Sequence, residues 1–254
     1  MTPRLLTRAA SAALALALIS AACGRTQEPA RPAEPAVTVN PVDPATAGSI
    51  TGRIAFAGTA PAPRPIRMNS DPNCTGTNNT ETVVVDGEGG LANVFVYVKD
   101  GLGNLRFPVP ATPVVLDQQG CRYTPRVLGI QVGQPLAIHN SDHTLHNVHG
   151  AAEVNREFNI GQPQAGVSHT HTFSTVEVMV PFRCDVHRWM QAYVGVLDHP
   201  FYAVSAADGR FELKGLPPGT YTIEAWHETL GTQTQTVTVG ASESADAAFT
   251  FKAA

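Results

Sequence analysis

The chain has no run of basic residues: 17 Lys and Arg stand against 21 Asp and Glu over 254 residues, a formal net charge of −4. A nucleic-acid partner is therefore not expected, since such a partner calls for a basic patch or stripe. No Gly-x-Ser-x-Gly nucleophile motif occurs, which removes the commonest hydrolase signature. Long helical periodicity is missing beyond Ser49, and the four methionines form no tract. The apolar run from Ala9 to Ile19 is too short to span a bilayer. Cysteine is limited to four positions, Cys23, Cys74, Cys121 and Cys184, so each has to be assigned a use.

What is present past residue 48 is strand and turn. Ile50, Gly52, Ile54 and Phe56 alternate with polar or small residues, the period of a half-buried strand. Val94 to Val98 is apolar at every position, as a strand covered on both faces would be, with Tyr97 placed to carry its hydroxyl to solvent. From Asp208 to Trp226, short alternating strands are separated by Gly- and Pro-containing turns. The predicted fold class is all-β.

The densest chemistry lies in Cys184-Asp-Val-His187-Arg-Trp-Met190, which places a thiolate, an imidazole and a thioether within seven residues. Cys, two His and a weak axial Met make up the donor set of a blue-copper site, and the second His is supplied upstream by His146 in the turn from His139 to His149. Structural zinc is the competing reading, but it wants four strong donors, and a thioether is a poor one. Asn140-x-Asp142, His146-Asn147-Val148-His149 and Cys184-x-x-His187-x-x-Met190 together resemble the cupredoxin, or blue copper, family, with a loop spacing most similar to the amicyanins. The resemblance covers residues 105–198. It implies a Greek-key β-sandwich or barrel holding one copper ion through His146, Cys184, His187 and Met190. Asn147 and Asp142 would lie just outside the ligands, with Asn147 tying the two ligand loops together, and His187 would be the solvent-facing ligand at which electrons arrive. Asp185 and Trp189 depart from the family's loop, and Glu157 is a conceivable stronger fourth ligand that would turn a blue site red or green.

Residues 208–226 resemble the carboxypeptidase regulatory-like domain, a small transthyretin- or Ig-like β-sandwich without catalytic residues. The strands at 50–56 and 90–98 are similar to that family's opening strands. The expected organisation is therefore a discontinuous sandwich of residues 48–104 with 199–253, into which the 105–198 copper domain is inserted. The alternative is a cupredoxin with a long extension followed by a separate domain.

Arg4 and Arg8, the apolar run and Ser20-Ala-Ala22 before Cys23 form a signal segment over residues 1–22. The arrangement resembles a bacterial lipoprotein signal, which implies lipidation of Cys23, a periplasm-facing anchor at the outer membrane, and a disordered tether over residues 23–47. Ser20 stands where that signal usually has an aliphatic residue, so plain secretion is the alternative. With Cys23 given to lipid and Cys184 to copper, Cys74 and Cys121 are left to pair in an oxidising compartment, against the alternative of two separate buried thiols. His169-Thr-His171 would project both rings to one side of a strand, enough for weak accessory metal binding. His227 reads as a partly buried structural residue.

These readings lead to a one-electron carrier, not an enzyme, working between partners such as a cytochrome or dehydrogenase. A copper-delivery or resistance protein is the alternative, and the absence of Met tracts disfavours it.

Overall fold

The computed structural model describes residues 42–253; the signal segment, Cys23 and most of the tether lie outside the described residues. Among the described residues the structure is all-β. Its strands are β1 (Gly48–Ala57), β2 (Phe95–Asp100), β3 (Val114–Gln118), β4 (Tyr123–Thr124), β5 (Val127–Gln131), β6 (Pro135–Asn140), β7 (His146–Gly150) and β8 (Phe158–Gln162). They continue with β9 (Ser168–Thr172), β10 (Glu177–Arg183), β11 (Gln191–Leu197), β12 (Tyr202–Val204), β13 (Arg210–Leu216), β14 (Gly219–His227), β15 (Gly231–Val239) and β16 (Ser244–Lys252).

Four sheets form two sandwiches. The first pairs β13-β1-β16 with β12-β2-β14-β15, so strands from both ends of the described chain share its sheets. β1 runs antiparallel to β13 and parallel to β16, which places it at the centre of its sheet. Alternation explains its core: Ile50, Ile54 and Phe56 point inward from β1, and Ala247, Phe249 and Phe251 from β16, onto Val96, Val98, Ile223 and Ala225 of the opposite sheet. The second sandwich pairs β5-β11-β10-β7-β8 with β4-β3-β6-β9, around Leu116, Leu136, Ile138, Phe173, Phe182, Val194 and Val196.

The two sandwiches meet through β2. Its Val96 and Val98 face the first core, whereas Phe95 and Tyr97 face a separate cluster with Val127 and Leu197 of the second. Both faces of the strand are thus covered over Phe95–Val98, and this is why that stretch is apolar at every position, whereas Lys99 and Asp100 at its end are exposed. Tyr97 does not reach solvent: it is buried, and its hydroxyl donates to the Glu224 carboxylate at 2.6 Å, which Lys99 also contacts. Two glycines make the close approach possible. Gly129 and Gly195 stand opposite one another on β5 and β11, and the Phe95 ring lies where a Cβ on Gly195 would be, 2.3 Å away.

The chain departs from the expected organisation in two places. Residues 42–47, read as the end of the tether, form a turn in which Asp43 O accepts from Thr46 and Ala47, and Val42 packs on the first core. The segment around residues 64–80, expected within the first sandwich, instead crosses to the second, where Met68 and Cys74 are buried in its core. A Cys74–Cys121 disulfide holds it there, with sulfurs 1.98 Å and Cα atoms 5.6 Å apart. On a chain-entropy account, a link across a separation of 47 residues stabilises by about 4 kcal/mol.

Gly195→Ala should test the junction. Its Cβ has no room against Phe95, and overpacking of this kind costs about 1–3 kcal/mol. A thermal melt should show a clearly lowered midpoint, whereas an unchanged midpoint would contradict the packing described.

Candidate metal centre

β10 runs into Cys184, the loop turns through His187, and Met190 leads back into β11. Main-chain bonds close the loop: Met190 N–H donates to His187 O at 2.8 Å and Cys184 N–H to Met190 O at 3.2 Å. β7 lies beside β10, with Arg183 opposite His149, and this register brings His146 at the start of β7 next to the loop. His146 is backed by buried amides. Gln118 donates to Gln162, and Asn140 Nδ2 donates to Thr144 O at 2.9 Å and Gln162 O at 3.0 Å, which fixes the turn leading to His146.

Three donor atoms converge. His146 Nδ1 lies 2.9 Å from His187 Nδ1, Cys184 Sγ is 3.9 Å from His187 Nδ1, and one ligand atom from each of the three residues lies within 4.8 Å of the others. All three side chains are buried, as is Met190, which also borders a cavity of about 190 Å³ shared with Ile66, Tyr123 and Trp189.

The far side of each ring explains its orientation. His146 Nε2 faces Asp142 Oδ2 at 2.9 Å, and His187 Nε2 faces Asp71 Oδ2 at 3.0 Å. A carboxylate can only accept, so both Nε2 atoms carry hydrogen, and in the neutral rings both Nδ1 lone pairs point inward. Two lone pairs 2.9 Å apart beside a sulfur repel one another unless a cation or proton lies between them. Burial pushes the His146 pKa down, which disfavours the proton. The residues present therefore fit a metal ion, and the soft sulfur with two imidazoles suits copper among the common ions.

Each carboxylate is anchored in turn. Asp142 accepts from the backbone N–H of Gly120 at 2.7 Å and of Cys121 at 2.8 Å. Asp71 accepts from Thr144 Oγ1 at 2.6 Å and Asn73 N–H at 2.8 Å. These bonds, the Thr144 hydroxyl foremost, hold the Asp71 pKa down at about 2. Asn147 joins the loops: its Oδ1 accepts from Asp185 N–H at 2.7 Å and contacts Cys184 Sγ at 3.3 Å, while its Nδ2 donates to Asn159 and Asp185. The His187 main-chain N–H points at Cys184 Sγ, 3.3 Å away.

The structure corrects two expectations. His187 is not solvent-facing: it is 1% exposed, beneath Asp71 and with the Trp189 ring 5.1 Å from its own. Glu157 is not beside Cys184; its side chain is 60% exposed and bonds His149 Nε2. His149 itself links Glu157 to Asp185. His171 stacks on Phe158 at 3.9 Å while His169 is exposed, and neither joins a metal-capable group among the described residues. His227 is fully buried, its Nδ1 accepting from Thr229 and Leu230 N–H. Sequence reasoning missed Asp71 altogether. The only pointer was Cys74 three residues later, whose link to Cys121 carries Asp71 to the site.

The carboxypeptidase regulatory-like domain model matches residues 191–252, which begin in β11 and run through β16. No curated protein matches the chain. Among solved structures, a reduced mutant of amicyanin is 26% identical, with 35% of this chain and 85% of that one covered and a TM-score of 0.31 or below, here 0.30. A purple cupredoxin from Nitrosopumilus maritimus is 21% identical over 33% of this chain and 98% of its own, at a TM-score of 0.29. A copper-containing nitrite reductase from Thermus scotoductus SA-01 is 20% identical over 37% of this chain, with a TM-score of 0.31, and the chain spans about a quarter of its length, 24%.

The depressed Asp71 carboxyl gives a signed pH expectation. Its stabilisation is fully present above the ordinary value of 3.8 and is lost as pH falls towards about 2. In metal-free protein, Asp71→Asn should therefore be less stable than wild type in urea at pH 7, and the two should converge as pH approaches 2. A constant gap across that range would contradict the charged pairing.

Proposed function

We propose that the chain is a mononuclear, type 1 copper protein that passes single electrons between redox partners. The observation that carries this reading is the convergence of His146 Nδ1, His187 Nδ1 and the buried Cys184 sulfur, with both rings pre-oriented by carboxylates. Copper bound there would supply one-electron chemistry between its two common oxidation states. The remaining work belongs to the chain. Cys184 would be the thiolate ligand and main electronic coupling route, and Met190, at the end of the same loop, would be the weak thioether donor that sets the potential. Asp142 and Asp71 hold the imidazole tautomers, and such outer contacts raise ligand basicity and fix the rings. A site whose ligands are already in place suits a carrier, because little has to move when the charge changes.

Burial of His187 means that electrons do not arrive at an exposed imidazole edge. The loop's own Trp189, partly exposed and with its ring 5.1 Å from that of His187, is assigned that part. We further propose that Cys23 is lipidated, that the protein faces the periplasm from the outer membrane, and that its partner is a cytochrome or dehydrogenase. No catalysis is assigned to it. A copper-delivery role is the second reading, and the cover over His187 is what favours it, since metal that is carried for delivery needs a site that closes and opens.

Loading with Cu(II) should produce an intense visible sulfur-to-copper charge-transfer band and a type 1 EPR signal, both lost in Cys184→Ser. A colourless protein that still binds Cu(I) tightly would favour delivery over electron transfer. No copper binding in either oxidation state would remove both.

A further inference from the structure

The disulfide does more than hold a loop, because each of its halves is joined to one of the two aspartates that orient the imidazoles, Cys121 to a carboxylate and Cys74 to a main-chain carbonyl. Cys121 N–H donates to Asp142 Oδ2, the acceptor of His146 Nε2. Cys74 N–H donates to Asp71 O at 3.1 Å, and the Asp71 side chain holds His187 Nε2. The sulfurs are close as well. One ligand atom each from Asp71, Cys74 and His187 lies within 4.8 Å of the others, and the same is true of Cys121, Asp142 and His146. Apart from this bond, the 64–80 segment is held over the centre by Ile66 and Met68 against the second core, by the Asp71 bonds to Thr144 and His187, and by Asn78, whose Nδ2 donates to Gly120 O at 2.7 Å.

We infer that Cys74–Cys121 is a thiol-controlled latch on the metal centre: closed, it holds the 64–80 segment and Asp71 over His187, and opened by a dithiol reductant it uncovers the site for copper to enter or leave. The chemistry is thiol–disulfide exchange. A thiolate of the dithiol attacks the Cys74 sulfur, the more exposed at 7%, and Cys121 departs as a thiolate that takes up a proton. The dithiol's second thiol then displaces Cys74 from the mixed disulfide. Two electrons and two protons pass to the protein, and the dithiol becomes a disulfide. The opened centre differs in donors as well as in access. Cys121, on its corner beside Asp142 and His146, gains a free thiol while Cys74 leaves with the segment, and with Cys184 it gives the opened centre a second sulfur donor, suited to the cuprous ion. Reoxidation removes that thiol and returns the cover.

The inference rests on the copper reading, so its test has one readout that needs no copper. In the metal-free full chain, a charged maleimide should modify Cys184 slowly while the disulfide is intact. After treatment with a dithiol, and in Cys74→Ser/Cys121→Ser, modification should be about tenfold faster or more, because the site then opens by local release of the segment. Peptide mass mapping separates Cys184 from the other thiols. Equal Cys184 rates with the disulfide intact and cleaved would overturn the latch and leave the copper reading standing. Should the double variant fail to fold, Asp71→Ala keeps the disulfide and removes the segment's side-chain bonds to His187 and Thr144 as well as its own bond to Asn73 N–H; it should raise the rate in part and shift the spectrum of the copper-loaded protein. In loaded protein, a Cu(I) chelator should strip metal faster from the reduced form than from the oxidised one. Copper that binds neither form would instead sink the copper reading.

Discussion

Both imidazoles of the centre direct their Nε2 hydrogens outward to carboxylates, and the rest of the site depends on that constraint. Because Asp142 and Asp71 accept those hydrogens, the two Nδ1 lone pairs must face each other and the Cys184 sulfur across a buried space. The carboxylates hold their places through backbone N–H groups and a threonine hydroxyl, which in turn fixes the 118–121 corner and the 64–80 segment. A cluster of inward lone pairs is costly without a cation, so the scaffold stores a preference for metal in its hydrogen-bond directions.

That scaffold is assembled from distant pieces of chain. β1 and β2 complete sheets with strands beyond residue 201, while the segment between them crosses to the other core and covers the centre. The glycine pair Gly129 and Gly195 lets Phe95 of one sandwich lie flat on β5 and β11 of the other, and β11 is the strand that receives the ligand loop. Packing at the junction and geometry at the loop are therefore carried by one strand.

Much of this was legible from local pattern. The alternation at Ile50 to Phe56 and the two-sided apolar run at Val94 to Val98 each match what those strands cover. The spacing of Cys184, His187 and Met190 marked the loop, because short-loop chemistry is local. The placement of Asp71, the burial of His187 and the closure of Tyr97 onto Glu224 were not legible. They arise from contacts across 116 and 127 residues, and nothing in the composition of the 64–80 stretch distinguishes a cover from a surface loop. Nor does the sequence show that Glu157, just before β8, turns its carboxylate to His149 and not to the Cys184 loop.

The most direct test of the account is X-ray absorption at the copper edge of the loaded full chain. One sulfur and two imidazole nitrogens in the nearest shell, with the sulfur lost in Cys184→Ser, is the result the account predicts. A shell of nitrogen and oxygen alone, unchanged by that substitution, would contradict it.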